Sequence, residues 1–360
     1  MAKQLPLYSG EPEGCWIREE PSTLISLSDD DIPDRGMKQI PFCSISDPTH
    51  LLEQGIEQQK TNQFQAALQS LKMALMLYTQ QQNQRGVGRS LSSLALTCYT
   101  MGDFSQAIEY ASQSLAIARE IEDQPLEAKV LGILGNSYRH QGDCAKAIEL
   151  GQQCLTLVQY LHDESGEVAA LNNLGLAHKV LGNMSEAIAY QQQSLKIAQT
   201  LSDRQTEEQI LRNLGNTCYA TGDYLQAIYY YKQRLAIARE WDDLRLEGQI
   251  LRNLTNACYA LGDYPQAIEH AHSRLIVAQK LGDRRSEEQA LGSLGVAYDA
   301  LEDYAKAIEY YEQRLRIARA IPDQRVEQQS LGSLRVACYA LGDYAKVIEY
   351  HQQSVAIRNN

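Results

Sequence analysis

The side chains with most to offer chemically sit where a helix would be expected to keep apolar ones. Residues 210–224 run ILRNLGNTCYATGDY, and residues 250–264 run ILRNLTNACYALGDY. Each stretch sets an arginine and two asparagines (Arg212, Asn213, Asn216; Arg252, Asn253, Asn256) into an apolar helical pattern. An asparagine amide is both donor and acceptor, so it can pair with both groups of an extended peptide backbone. A guanidinium adds a fork of donors that suits a carboxylate. The plainer alternative is a solvated helix face. Asparagine is a mediocre helix former, and a face that only meets water more often carries Glu, Lys or Gln. Its return one repeat later favours binding.

Other chemistries find little support. The seven histidines are His50, His140, His162, His178, His270, His272 and His351. His270 and His272 are two apart, so on a helix they face apart. His178 stands at the repeat place of Cys218, a core position. No H-E-x-x-H, G-x-S-x-G or phosphate loop occurs. The eight cysteines include no C-x-x-C, which removes zinc-ribbon and thioredoxin-like readings. Cys98, Cys218, Cys258 and Cys338 each precede a tyrosine at one place in the period, as small core hydrophobes and reduced thiols would. The expectation is a non-catalytic chain with no metal and no cofactor.

The elements that position the polar groups follow from one period. A GDY-like mark falls at Gly102, Gly142, Gly182, Gly222, Gly262 and Gly342, with Glu302 in the seventh place, always 40 residues apart. Alanine follows at Ala107, Ala147, Ala187, Ala227, Ala267 and Ala307, and leucine at Leu115, Leu155, Leu195, Leu235, Leu275 and Leu315. A worn first copy shows Phe64, Ala67 and Leu75. Each unit reads as two helices. Leu211, Leu214, Gly215 and Cys218 form one apolar stripe. Gly222 ends that helix and Asp223 caps the next. The second helix buries Tyr224, Ala227, Ile228, Tyr231, Leu235 and Ala238. Asp123, Asp163, Asp203, Asp243, Asp283 and Asp323 precede the first helices as further caps. Eight units span residues 50–360, and stacked units bury their faces against one another as a solenoid.

The stretch NLGNTCYATGDYLQAIYYYKQRLAIA (213–238) resembles the tetratricopeptide repeat. Its 40-residue unit and the phrases QRLAIARE (233–240) and QRLRIARA (313–320) are similar to the Pins/LGN group of polarity adaptors and, more loosely, to kinesin light chains. No GoLoco-type tail is seen, so Gα binding is not carried over. The resemblance implies an all-α, right-handed superhelical solenoid of about eight helix pairs, with first helices lining a concave wall. It places Gln209, Arg212, Asn213, Asn216, Tyr219 and Ala220 on that wall. The spacing of Gln209, Asn213, Asn216 and Ala220 puts these four on one face. The matching places are Arg89, Ser93, Lys129, Asn136, Arg139, His140, Asn172, Asn173, Gln249, Arg252, Asn253, Asn256, Tyr259, Gln289 and Gln329. The candidate peptide-binding residues are therefore Arg89, Lys129, Asn136, His140, Asn173, Gln209, Arg212, Asn213, Asn216, Tyr219, Gln249, Arg252, Asn253, Asn256 and Tyr259. Ser293, Val296, Ser333 and Val336 change the face toward the C-terminus. At about 0.5–1.5 kcal/mol net per hydrogen bond, about six to eight bonds less ordering entropy give roughly micromolar binding. On the second helices Arg234, Arg274 and Arg314 read either as ion-pair partners of Glu207, Glu247, Glu287 or Glu327, or as ligand contacts.

The net charge of −12 argues against a phosphate-tracking nucleic-acid binder. No apolar run reaches a membrane span and no hydrophobic leader opens the chain, so the expected compartment is cytoplasmic. Residues 1–49 are acidic and proline-rich and lie outside the period. They read as a flexible tail, as a docking motif for a partner, or as a segment lying in the chain's own groove. The last helix, with Tyr344, Val347, Ile348, Val355 and Ile357, offers an apolar edge to a partner or a second copy. The expected function is a non-catalytic protein–protein adaptor or scaffold that holds an extended peptide or partner segment, acidic or not, in the concave groove. The alternatives are an assembly factor for a larger complex and a regulatory sensor acting on a separate effector.

Overall fold

Two kinds of turn alternate along the chain, and together they set its period. In the first, a helix runs into a residue with left-handed backbone: Gly222 has φ +82°, and Gly142 reaches +91°. Glycine takes this conformation without steric penalty. Glu302 takes the same place with φ 61°. The next residue caps the following helix, as where Asp223 Oδ1 accepts from the Gln226 backbone N–H at 3.1 Å. In the second turn, between units, Asp203 Oδ1 accepts from Thr206 N–H at 3.1 Å. Asp123, Asp163, Asp243, Asp283 and Asp323 repeat that cap. Gln63 before α2 and Asn183 before α8 make no such bond.

The computed structural model describes residues 47–358. The chain divides into two units, 1–45 and 46–360, and the description concerns the second. Residues 1–46, with Cys15, Cys43 and the readings made for an acidic tail, lie outside the described residues. Among the described residues, sixteen helices form eight antiparallel pairs. They are α1 (Pro48–Lys60) with α2 (Phe64–Gln80), α3 (Gln84–Thr100) with α4 (Phe104–Glu120), α5 (Gln124–Gln141) with α6 (Cys144–Tyr160), and α7 (Glu164–Val180) with α8 (Met184–Thr200). There follow α9 (Arg204–Ala220) with α10 (Tyr224–Glu240), α11 (Leu244–Leu261) with α12 (Tyr264–Leu281), α13 (Arg284–Ala300) with α14 (Tyr304–Ala320), and α15 (Gln324–Leu341) with α16 (Tyr344–Arg358). The array is a superhelical solenoid of helix pairs, and its first helix starts at Pro48.

The apolar stripes close the units as their spacing demands. Ile210, Leu211, Leu214 and Cys218 of α9 are buried with Ala227, Ile228, Tyr231, Leu235 and Ala238 of α10. Tyr224 is only half-buried, because it stands at the helix entrance and packs edge-on against Tyr219. His178 is likewise half-buried rather than a core group, and it stacks on Tyr190 at 5.3 Å. Gly215 is small for a specific reason: a Cβ there would lie 2.4 Å from the Tyr231 ring. The six described cysteines are free and buried. First helices of successive units touch across unit boundaries (α1–α3, α3–α5, α5–α7, α7–α9, α11–α13), whereas second helices do not pack to that degree. The first helices are therefore crowded on the inner side and the second helices splay outward.

From the second unit onward, one periodic bond ties each unit to the next. Arg119, Arg239 and Arg319 donate to Glu127, Glu247 and Glu327 at 2.6–2.7 Å. Gln159, Gln199 and Gln279 do the same for Glu167, Glu207 and Glu287. These glutamates are thus engaged with the end of the preceding helix. The expected pairing of Arg234, Arg274 and Arg314 with Glu207, Glu247, Glu287 or Glu327 is not what forms.

Candidate peptide-binding groove

The first helices present their polar register on the inner side, away from the leucines. Arg89 stands on α3; Lys129, Asn136 and His140 on α5; Asn173 on α7. Gln209, Arg212, Asn213, Asn216 and Tyr219 stand on α9, and Gln249, Arg252, Asn253, Asn256 and Tyr259 on α11. All of them keep access to water: Asn136, His140, Asn173, Asn213, Asn253 and Tyr259 are half-buried and the rest are exposed. The adjoining Ile210, Leu211, Leu214, Ile250, Leu251 and Leu254 are wholly buried. The division between stacking and leftover polar groups is therefore sharp along each helix.

The amides are not all equally available. Asn213 Nδ2 donates to Asn172 Oδ1 at 3.1 Å, a rung between α9 and α7. Tyr231 reaches through the space left by Gly215 and donates its hydroxyl to Asn216 Oδ1 at 2.8 Å. That bond holds the Asn216 carboxamide with its oxygen toward α10, leaving the Nδ2 hydrogens as the groove-side donors. Asn136, Asn173, Asn253 and Asn256 have no side-chain hydrogen bond within the described residues. Sequence spacing marked the asparagines but not these two bonds; the pairing of Gly215 with Tyr231, repeated as Gly295 with Tyr311, was the available signal.

His140 is the candidate least free to meet a ligand. Its ring stacks on Phe104 at 4.5 Å and 4°. Its Nε2 lies 3.3 Å from Tyr99 Oη and 2.9 Å from Arg139 Nη2. Burial, then the Arg139 charge, lowers its pKa, so it is neutral at pH 7. Lys129 also titrates low, through desolvation by its neighbours and then the charge of Arg89 across the unit boundary. Tyr219 and Tyr259 each pack edge-on or tilted against the tyrosine that opens the next helix, Tyr224 and Tyr264.

Charge along this register runs against that of the whole chain. At the six places marked by Gln209, Arg212, Asn213, Asn216, Tyr219 and Ala220, the second to sixth pairs carry Arg89, Lys129, Arg139, Lys179, Arg212 and Arg252, and no carboxylate. Acids enter only at the ends of the array, as Glu53 and Asp299. Toward the C-terminus, exposed Val296 and Val336 replace asparagine. Between α5, α6 and α7 the floor carries a dent lined in part by Gly132, Gly135, Asn136, Gly151 and Asn173. It lies where the fifth pair has Arg212 and Tyr231 instead of Gly132 and Gly151.

The second-helix arginines resolve into two kinds. Arg234 Nε donates to Glu208 Oε1 at 2.5 Å and Arg314 Nε to Glu288 Oε1 at 2.6 Å. The expected glutamate was one residue off, which on a helix is a rotation of about 100°. Among the described residues Arg274 has no carboxylate partner. On the last helix, Tyr344, Ile348 and Val355 are exposed. Val347 and Ile357 turn inward and pack on the last core cluster, so the expected apolar edge is narrower than five residues. Among the described residues no helix is long and apolar enough to cross a membrane.

The tetratricopeptide repeat family matches residues 86–159, 167–240 and 246–320, well over half of the chain, and the chain belongs to that family. The narrower resemblance to the Pins/LGN group rests on the sequence alone. No curated protein matches the chain. Among solved structures, it is similar to the Signal Transduction ATPase with Numerous Domains protein with a tetratricopeptide repeat sensor from Pyrococcus horikoshii, with a TM-score of 0.62 at 17% identity. That match covers 87% of this chain and 48% of the other, so the chain spans about half the length of that relative. BtubC (BKLC) from P. vanneervenii matches with a TM-score of 0.52 at 21% identity, covering 64% of this chain and 92% of that one. The apo form of RapI matches with a TM-score of 0.61 at 14% identity, over 87% and 97%.

Proposed function

We propose that the inner face of the second to sixth helix pairs binds an extended, acidic segment of another protein, and that the chain serves as an adaptor or scaffold. One observation carries this reading: six cations and no carboxylate stand at the register places of that face, in a chain of net charge −12. A random scatter of this composition would put more acids than bases there. The unpaired amides of Asn136, Asn173, Asn253 and Asn256 support it further, because each offers a donor and an acceptor to a peptide backbone without dictating sequence. The free buried thiols fit a reducing, cytoplasmic setting.

The test is a titration of fluorescein-labelled 12-residue peptides, one set rich in Asp and Glu and one with Asn and Gln in their place. Wild type is expected to bind the acidic set in the micromolar range, more weakly as salt rises. The variant Arg212→Ala/Asn253→Ala/Asn256→Ala, which removes no internal hydrogen bond of the fold, should lose at least tenfold. Equal affinity of variant and wild type for the acidic set would sink the reading. A second reading, an assembly factor or sensor subunit that works through its outer face, is favoured by the exposed Leu225, Tyr229 and Ile276 on α10 and α12. A partner protein held equally well by wild type and by the groove variant would point to that face.

A further inference from the structure

The second helices carry an internal comparison at one register, the place of residues 114, 154, 194, 234, 274, 314 and 354. In each pair this residue faces the one 26 positions earlier on the first helix. Where the second-helix residue is small it bonds to the first helix directly: Ser114 Oγ to Gly88 O at 2.8 Å, Cys154 Sγ to Ala128 O at 3.3 Å, Ser194 Oγ to Val168 O at 2.8 Å. Ser354 Oγ donates to Gln328 Oε1 at 2.7 Å. Where it is arginine the facing residue is glutamate, as in Arg234 with Glu208 and Arg314 with Glu288. The sixth pair breaks this matching. Arg274 faces Gly248, and among the described residues no carboxylate bonds to it.

Arg274 is nonetheless only 6% exposed. Its one hydrogen bond among the described residues runs from Nη2 to Gln289 Oε1 at 2.6 Å, a neutral acceptor. Burial pulls its pKa down to about 10; the positive charge of Arg252 adds to this, while Asp283 and Glu288 oppose it. Its other nitrogens have no hydrogen-bond partner among the described residues yet are not sealed from water, so this mostly buried guanidinium, held only by a neutral acceptor, can take a further and charged one. Two of its surroundings open to the groove. Gln289 is exposed on α13 at the register of Gln209 and Gln249, and Arg252 is exposed on α11 with no bonding partner among the described residues. The absent glutamate also leaves room, since a Cβ built on Gly248 meets only Val277 Cγ1, at 3.4 Å.

We propose that Arg252 and Arg274 form a carboxylate site on the groove, filled by an Asp or Glu side chain of the bound segment. That side chain supplies the negative charge that Glu208 and Glu288 supply to Arg234 and Arg314 in the flanking pairs. The proposal rests on the groove reading and adds to it a place: the junction of α11, α12 and α13, where one acidic position of the ligand is selected over its amide.

The decisive variant is Gly248→Glu, which restores the missing internal partner and alters no residue of the groove face. The probe is a positional set of acetylated, amidated 12-residue peptides that carry Glu or Gln at one position and are otherwise identical. Wild type is expected to prefer Glu about tenfold at a single position. Gly248→Glu should melt no lower than wild type, still bind the Gln peptides, and show a preference near one. Gly332→Glu, which adds the same charge on α15 at an uncrowded place, should keep the tenfold preference. The proposal is overturned if Gly248→Glu keeps the preference, or if Gly332→Glu removes it equally. Glutarate at fixed ionic strength separates this from the groove reading, since it is a carboxylate probe with no peptide attached. A glutarate-induced rise in melting temperature in wild type that vanishes in Gly248→Glu, with no peptide retained, keeps the anion site and discards the peptide groove. Peptides retained without any Glu preference discard the site and keep the groove.

Discussion

Replacing Glu208 with leucine strands the guanidinium of Arg234 between α9 and α10. The two side chains are 10% and 4% exposed, with Nε and Oε1 2.5 Å apart. Removing one partner of such a pair leaves an uncompensated buried charge, at about 3–5 kcal/mol. The sixth pair offers a parallel: Arg274, to which no carboxylate bonds among the described residues, has its pKa drawn down to about 10, first by burial and then by the charge of Arg252. The lower end of the range is therefore the better expectation, because the sixth pair folds in spite of the same omission. Repeat arrays unfold in pieces and need not be two-state, so the measurement is native-state hydrogen exchange of the amides in α9 and α10. Their protection should fall roughly a hundredfold in Glu208→Leu, about 3 kcal/mol by the tenfold-per-1.4 kcal/mol rule. The double variant Glu208→Leu/Arg234→Met removes both charges and should recover to within about 1 kcal/mol of wild type. A loss below about 1 kcal/mol in the single variant, or a double variant as damaged as the single, would refute the assignment of a buried ion pair at this place.

Glu302→Gly should stabilise the α13–α14 turn by about 1 kcal/mol in chemical denaturation, because a left-handed residue with a Cβ costs about 1–2 kcal/mol and φ here is 61°. Gly215→Ala should destabilise by about 1–3 kcal/mol through overpacking, since the new Cβ meets the Tyr231 ring at 2.4 Å; unchanged protection of α9 would contradict that contact. The Thr206 hydroxyl and N–H bonds hold the Asp203 pKa below the usual carboxylate value. A group depressed in the folded state stabilises above the unfolded pKa and loses that contribution as pH falls through the folded one. Asp203→Ala should therefore cost about 1 kcal/mol at pH 7, with the gap to wild type narrowing as pH drops below about 4; a gap that is independent of pH would count against the cap. Burial pushes the Cys154, Cys218 and Cys258 thiols up to about 11, so a thiol reagent at pH 8 should reach them only on unfolding, as mass mapping of labelled peptides would show.

What the sequence made legible is what repeats. Gly222, Asp223 and Asp203 recur with the period, and each recurrence restates the same local requirement for a left-handed residue or a capping carboxylate; the turns could be placed from spacing alone. That Arg212, Asn213 and Asn216 lie off the buried stripe was legible for the same reason, as polar groups left over once the stacking residues were assigned. What stayed hidden depends on how two helices face each other. Glu207 and Glu208 are neighbours in sequence, yet Glu207 is held by Gln199 and Arg204 while Glu208 meets Arg234. No one-dimensional spacing separates them without the packing angle of α9 on α10. The bonds from Tyr231 to Asn216 and from Asn213 to Asn172 are hidden in the same way. Once one pair has fixed the geometry, however, the period carries it to the others, and departures from it become informative. Glu208 and Glu288 would by themselves be a structural detail of two ion pairs. Against them, Gly248 is the one place where an arginine of this register lacks its acid, and it falls in the pair that holds Asn253, Asn256 and Arg252, none of which has a side-chain hydrogen bond among the described residues.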